Sequence, residues 1–151
     1  MAAPTPILAA VYRGKSDELA TLLAAQPTLT LFEAAALGDA VDALLAARAD
    51  VRARSDNHEA NTALHASLAG RKSVRVVTAL LARGADVNVR AAEGYTPLHI
   101  AAFEGDVTLI NTLLAHGATA EARADDGQTA LAIAEQRGHA QAARRLRGEM
   151  P

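Results

Sequence analysis

Apolar residues recur along the chain at the spacing of short helices that come in pairs. Leu98, Ala101 and Ala102 fall on one face of a first helix. After Gly105, the segment "VTLINTLLA" gives a second helix an apolar stripe at i, i+4 spacing. The residues of that stripe are Leu109, Ile110, Leu113 and Leu114. The pattern therefore predicts a helix–turn–helix unit in which small alanines let a neighbouring helix approach closely.

Capping residues mark where both helices begin and end. Thr96 suits the N-cap of the first helix, and Pro97 then falls at the first helical position, where a missing N–H costs nothing. Asp106 is placed to cap the second helix, and Gly117 to end it in a left-handed turn. The polar stretch that follows, up to Gly127, predicts an extended turn that leads into another unit.

The same unit occurs several times in the sequence. The segment "TPLHIAAFEG" at Thr96 is preceded by "TALHASLAG" at Thr62 and followed by "TALAIAEQRG" at Thr129, which gives spacings of 34 and 33 residues. Weaker copies read "TPILAAVYRG" from Thr5 and "LFEAAALGD" from Leu31. The chain is therefore predicted to be an array of helix pairs that bury their apolar faces against one another.

Composition narrows the possible classes of protein. Half of the 151 residues are apolar but only 3% are aromatic, which favours close-packed helices over sandwiches and barrels. The net charge of −2 argues against broad binding to nucleic acid or anionic lipid. The absence of cysteine excludes disulfides and thiolate zinc sites. Since neither a convincing signal peptide nor a run of about 20 apolar residues is present, we expect a cytoplasmic protein without membrane contact.

These repeats resemble those of the ankyrin repeat family. One repeat carries nearly the whole motif: Gly94, Thr96, Pro97, Leu98, His99, Ala101, Ala102, Gly105, Leu113, Leu114, Gly117 and Ala118. The resemblance implies an all-α solenoid of stacked helix–turn–helix units with β-turn fingers, forming a single domain over residues 1–151. The five repeats are predicted near residues 5–28, 29–56, 57–90, 91–123 and 124–150. The Ala- and Arg-rich composition is similar to that of small bacterial members of the family.

The resemblance also implies a function, the non-enzymatic binding of a partner protein on the concave face of the solenoid. Family members use the finger tips and the exposed sides of the first helices for this. The corresponding residues here are Tyr12, His58, Glu59, Asn61, Ala92, Glu93, Tyr95, Phe103, Glu104, Asp125, Asp126, Gln128 and Gln136. We expect a monomer with no cofactor. A self-associating structural or regulatory module is the alternative from another class.

Three of the four aromatic residues fall at positions outside the repeat motif. Tyr12, Tyr95 and Phe103 map to partner-facing positions, and aromatics are enriched at interface hot spots. The alternative is structural: Phe103 would pack between repeats, and Tyr95 would shield a turn.

Candidate catalytic and metal-binding residues have structural explanations. Gly14-Lys15-Ser16 ends like a phosphate-binding loop and leaves nucleotide binding as an alternative, but Ala9 replaces the first glycine and the preceding segment predicts a helix. Asp125-Asp126 precedes a turn glycine, where aspartate is favoured for local hydrogen bonding, and leaves a metal site as an alternative.

The histidines and the basic end of the chain are interpreted in the same way. His65 and His99 occupy the same repeat position, where the resemblance implies a structural hydrogen bond to the turn and a role for the threonine three residues earlier. His116 and His139 are predicted to be solvated at helix ends, which leaves His58 for a contact role. A C-terminal cluster of arginines either complements the helix dipole or forms a docking patch; its members are Arg144, Arg145 and Arg147.

Overall fold

The chain forms an array of helix pairs. The computed structural model describes residues 51–52, 62–69 and 74–149. The α-helices of this part are α1 (Ala63–Ala69), α2 (Val74–Ala82), α3 (Pro97–Glu104), α4 (Val107–Ala115), α5 (Ala130–Gln136) and α6 (Ala140–Leu146). A 3₁₀ turn at Ala92–Gly94 lies in the connection between the first two pairs, and Arg123 forms an isolated antiparallel bridge with Thr129.

The helices stack in two layers. The first helices α1, α3 and α5 pack on one another in order, and so do the second helices α2, α4 and α6. Within each repeat the two helices also pack together, as α1 on α2, α3 on α4 and α5 on α6. The residues described contain no strand, and the predicted all-α solenoid is confirmed. The full division into five repeats stays a prediction, because the first two lie outside the described residues.

The core runs between the layers and between successive repeats. Leu98, Leu109 and Leu113 are 1%, 1% and 0% exposed, as the apolar pattern predicts, and each contributes roughly 1.5–3 kcal/mol through burial. Alanines at the helix contacts, including Ala101 and Ala102, are fully buried and let α3 approach its neighbours closely. The prediction that Leu114, the last leucine of the stripe, is buried was wrong. Leu114 is only partly buried, since it lies at the edge of the core cluster.

The predicted helix ends are confirmed. Gly105 ends α3 in the left-handed region at φ 71°, where a side chain would be strained. The Asp106 carboxylate accepts a hydrogen bond of 3.0 Å from the Leu109 amide and so caps α4. Gly117 follows α4 at φ 88°. These local signals fix where each helix stops, and so they position the loops that carry the candidate site.

Candidate interaction surface

A pair of buried histidines ties the loops to the helices. The Thr96 amide donates to Nδ1 of His99 over 3.1 Å, and the Thr96 hydroxyl lies 2.8 Å from the same nitrogen. His65 and Thr62 repeat this arrangement at 3.2 and 3.0 Å. Because Nδ1 of His99 accepts, its proton is on Nε2, which donates over 3.2 Å to the carbonyl of Gln128 in the following repeat. The predicted structural role is confirmed for His99, and the predicted contact with the preceding threonine is confirmed for both histidines.

Burial controls the protonation of His99. The side chain is 1% exposed, and removal from water lowers the pKa of the imidazole below its usual value. The hydrogen bond to the Gln128 carbonyl acts in the opposite direction and raises the pKa, but less strongly. His99 is therefore neutral at pH 7, as its hydrogen bonds to Thr96 require.

The two histidines at helix ends behave differently from each other. His116 is exposed, as predicted. His139 is half-buried, and its Nε2 donates over 3.0 Å to the carbonyl of Phe103 in the preceding repeat, a contact that the sequence did not predict. The ring lies so close to Gly105 that an added Cβ there would be 2.6 Å from it. His139 thus joins the turn after α3 to the start of α6.

The fingers of the last two repeats, residues 90–96 and 123–129, interlock through side-chain and backbone contacts. Arg90 forms a salt bridge of 2.6 Å with Asp125 and also donates over 2.8 Å to the carbonyl of Arg123. The Asp125 amide donates over 2.9 Å to the carbonyl of Glu93. Gly94 lies directly beneath this pair, and a Cβ there would be 2.2 Å from the Arg90 guanidinium and would displace it. Successive fingers therefore form one continuous surface.

The tip of the first of these fingers has an unusual backbone. Glu93 adopts φ 57°, a left-handed conformation that costs an ordinary residue about 1–2 kcal/mol. Its side chain is exposed, so no buried contact explains the choice of residue. The sequence indicated a turn here through Gly94 but not that the preceding residue is also left-handed.

Tyr95 lies between the finger and the helix. It is half-buried, packs edge-on to the His99 ring at a centroid distance of 5.6 Å, and donates its hydroxyl to Asp126 over 3.3 Å. Burial, followed by the charge of Asp126 and the hydrogen bond to it, raises the pKa of the phenol. The structural alternative, that Tyr95 shields a turn, describes these contacts well, although part of the ring faces solvent.

Phe103 is the large hydrophobic side chain most open to solvent in the described part of the chain. Its exposed fraction is 46%, so the ring lies outside the buried core. It does contact the next repeat, because it carries the Arg137 guanidinium, whose carbon lies 3.6 Å from the ring centroid. Sequence reasoning missed Arg137, although that residue lies 34 positions after Phe103, about one repeat spacing.

The other predicted contact residues divide by exposure. Glu93, Asp125, Asp126 and Gln136 are exposed, whereas Ala92, Glu104 and Gln128 are half-buried. Tyr12, His58, Glu59, Asn61 and the Gly14-Lys15-Ser16 stretch lie outside the described residues. The fingers thus bring together Glu93, Tyr95, Asp125, Asp126 and Gln128, while Phe103 lies at the far end of α3.

The C-terminal arginines mostly contact the protein itself. Arg145 donates to the side chain of Asn111 on α4, and Arg147 pairs with Glu135 on α5. The hydrogen bond to Glu135, with its charge, raises the pKa of Arg147. Arg144 is exposed. Two of the three residues of the suggested docking patch therefore hold α6 against its neighbours.

Neither a metal site nor a membrane span is found in the residues described. Asp125 is paired with Arg90, and Asp126 accepts from Tyr95 and, over 2.9 Å, from the Gln128 amide. Within the ranges 51–52, 62–69 and 74–149, no three His, Cys, Asp or Glu residues are grouped so that they could hold a metal ion. Over the same ranges, every helix is too short or too polar to cross a membrane.

Comparison with known proteins assigns the class. The family profile of ankyrin repeats in three copies matches residues 7–123 and 67–149. The chain belongs to the ankyrin repeat family. Ankyrin repeats generally mediate protein–protein interaction, and their domains are typically non-enzymatic.

A curated relative covers a smaller part of the chain. The chain is 41% identical over 78 residues to a probable E3 ubiquitin-protein ligase, XBOS31, from rice (Oryza sativa subsp. japonica). The match includes 50% of this chain and 17% of the rice protein, so the chain spans less than a fifth of that relative's length. Because the relative is a plant protein, the likeness to small bacterial family members stays a prediction.

Proposed function

We propose that this protein is a non-enzymatic module that binds a partner protein on the face formed by its fingers and first helices, the concave face of an ankyrin solenoid. One observation carries the proposal. Leu98, His99 and most of the other motif residues are buried and hold the stack, whereas exposed non-motif side chains occupy the fingers and the ends of the first helices. The exposed set is Glu93, Phe103, Asp125, Asp126 and Gln136.

The exposed aromatic ring supports this surface as the contact site. A ring that is 46% exposed buries a large apolar area when a partner covers it, and few side-chain torsions are lost in doing so. The ring is also held in place, since Arg137 covers one face. The half-buried Tyr95 and the polar finger residues supply the hydrogen-bonding rim that such interfaces have.

The proposal takes protein binding from the ankyrin repeat family and takes no ligase activity from the rice relative. The matched segment is 78 residues long and makes up 17% of that protein, whose name refers to the whole. We further propose that the chain acts in the cytoplasm as a monomer, as the sequence predicts. Light scattering over a range of concentrations tests the second point, and a mass that rises with concentration would instead support the self-associating alternative.

The test of the function is capture of a partner from lysate of the native host, with identification by mass spectrometry. Phe103→Ala is expected to weaken binding of the captured partner by roughly 2 kcal/mol, because the central contact ring is lost. Its melting temperature should change little, since Phe103 is exposed. The double variant with Tyr95→Ala should lose most of the affinity.

Thr108→Ala is the matched control, because Thr108 is exposed on α4, in the other helix layer. It should bind at full strength. If the Phe103→Ala variant melts normally and binds as well as the Thr108→Ala control, the proposed surface is wrong and the exposed Arg144 on α6 is the next place to examine.

A further inference from the structure

The contact between Arg137 and Phe103 leaves the arginine's hydrogen-bonding groups open. The guanidinium carbon lies 3.6 Å from the ring centroid, a distance at which the flat cation lies over the ring face. Its five N–H donors lie in the guanidinium plane and so point sideways, away from the ring. Stacking therefore uses one face of Arg137 and none of its donors.

No carboxylate in the described part of the chain occupies those donors. The carboxylate nearest in sequence, Glu135, pairs with Arg147. The other salt bridges of the described residues join Arg90 to Asp125 and Arg147 to Glu149. Arg137 takes part in none of them and is exposed.

Neighbouring contacts hold this arrangement in position. Arg137 is the C-cap of α5, and two positions later His139 donates to the Phe103 carbonyl. The backbone that carries the ring is thus tied to the backbone that follows the arginine. A cation held over a ring loses less freedom when it forms a further ion pair than a free arginine does, so the geometry favours binding.

We propose that Arg137, stacked on Phe103, receives the carboxylate of an aspartate or glutamate side chain from the partner protein. The inference rests on the proposed function and gives that partner an acidic residue at this point. A carboxylate fits because two N–H groups of one guanidinium match its two oxygens. A phosphate group fits less well, since it carries close to two negative charges and is usually bound by a cluster of arginines, whereas Arg137 is a single cation.

The experiment follows arginine side chains by NMR in the full ¹⁵N-labelled chain at low ionic strength, where ion pairs are least screened. The probe is the capped peptide acetyl-Leu-Glu-Leu-Glu-Leu-amide, with the glutamine version as its uncharged counterpart. Titration with the glutamate peptide should shift the Nε–H resonance of Arg137, which is assigned by its loss in Arg137→Lys. The resonance of Arg144, an exposed arginine on the next helix, serves as the internal control and should move less.

Phe103→Leu tests the contribution of the ring. This variant keeps an apolar side chain but removes the aromatic face, so Arg137 is no longer held in place before the peptide binds. The cost of fixing a long side chain on binding, about 0.5–1.5 kcal/mol, corresponds to roughly two- to twelvefold weaker binding of the peptide at Arg137. A melting curve like that of the unmodified chain shows that the variant is folded.

Three results would overturn the inference: an equal response to the glutamine peptide, an equal shift at Arg144, or a larger response to a peptide with phosphoserine in place of glutamate. A partner captured from lysate whose affinity is unchanged by Arg137→Gln but falls in Phe103→Ala would also overturn it. That last outcome would leave the proposed function standing.

Discussion

His99 connects the start of α3 with the next finger through a single ring. Its Nδ1 accepts from Thr96 at the start of α3, and its Nε2 donates to the Gln128 carbonyl of the next finger. The contact with Thr96 requires the neutral imidazole, because a proton on Nδ1 would remove the acceptor. The folded chain therefore binds this proton less readily than an unfolded chain does.

This difference predicts a loss of stability in mild acid. Burial lowers the folded pKa of His99, whereas the unfolded value is about 6.5. The unfolded state consequently binds more protons once the pH falls below about 6.5. The contribution of His99 is fully present above that pH and falls by up to about 1.4 kcal/mol per pH unit as the pH drops toward the folded pKa.

Urea denaturation at pH values from 7.5 to 5 measures the effect, with His99→Gln as the matched variant. Glutamine at this position can still accept from the Thr96 amide but does not titrate. The free energy of unfolding should fall less steeply with acid in the variant. Identical slopes would show that His99 does not cause the pH dependence.

Glu93 offers a second prediction for a single residue. Its left-handed backbone is one that asparagine adopts more readily than glutamate, so Glu93→Asn should stabilise the chain by up to about 1 kcal/mol. Glu121→Asn is the control, since Glu121 is exposed and lacks a positive φ. Thermal melts that show the same change for both variants would contradict the assignment of strain to Glu93.

The helices were predictable as elements because their signals are local. Thr96, Gly105 and Asp106 lie within one helical turn of the boundaries they set, and α3 and α4 begin and end as the sequence predicted. The residues predicted to be buried from the spacing of apolar positions are buried, with one exception. Leu114 is only partly buried, because it lies at the edge of the core.

The surface was less predictable because its contacts join different repeats. The position of Tyr95 depends on Asp126, that of Phe103 on Arg137, and that of His139 on the Phe103 carbonyl. Each partner lies more than 30 residues away, and sequence spacing alone does not tell which side chains meet. The candidate residues could be named, but not whether each is exposed, shielded or paired.

The link between fingers can be tested with two glycines. Gly94 and Gly127 both have positive φ, but a Cβ would meet Arg90 and Asp125 at Gly94 and no atom within 4 Å at Gly127. Both alanine variants should lose about 1 kcal/mol through backbone strain. Gly94→Ala should lose up to about 1 kcal/mol more, because the exposed Arg90–Asp125 pair must separate. Equal losses in denaturant melts would show that the pair adds no measurable stability.

The repeats of the array are expected to unfold cooperatively, since each repeat is stabilised by those beside it. Leu113 is fully buried in α4, between the neighbouring second helices, and Leu113→Ala should cost roughly 2–5 kcal/mol. That loss should lower the stability of the flanking repeats too, and hydrogen exchange should show faster opening in both α2 and α6.

Leu114→Ala is the matched control for that prediction. The two leucines are adjacent on one helix, but Leu114 is only partly buried, so its truncation should cost clearly less. Equal falls in melting temperature for the two variants would contradict the repeat packing described above.

Many of the bonds between successive repeats end on a main-chain oxygen of the neighbour. His99 donates to the carbonyl of Gln128, Asn88 to that of Gly117 and Arg90 to that of Arg123. A carbonyl is present whatever side chain the residue carries, so these bonds place few demands on the identity of the residue that accepts them. Mutation can therefore alter the outward-facing side chains of one repeat without breaking the bonds that its neighbour makes to it, so the same stack can carry surfaces of different chemistry.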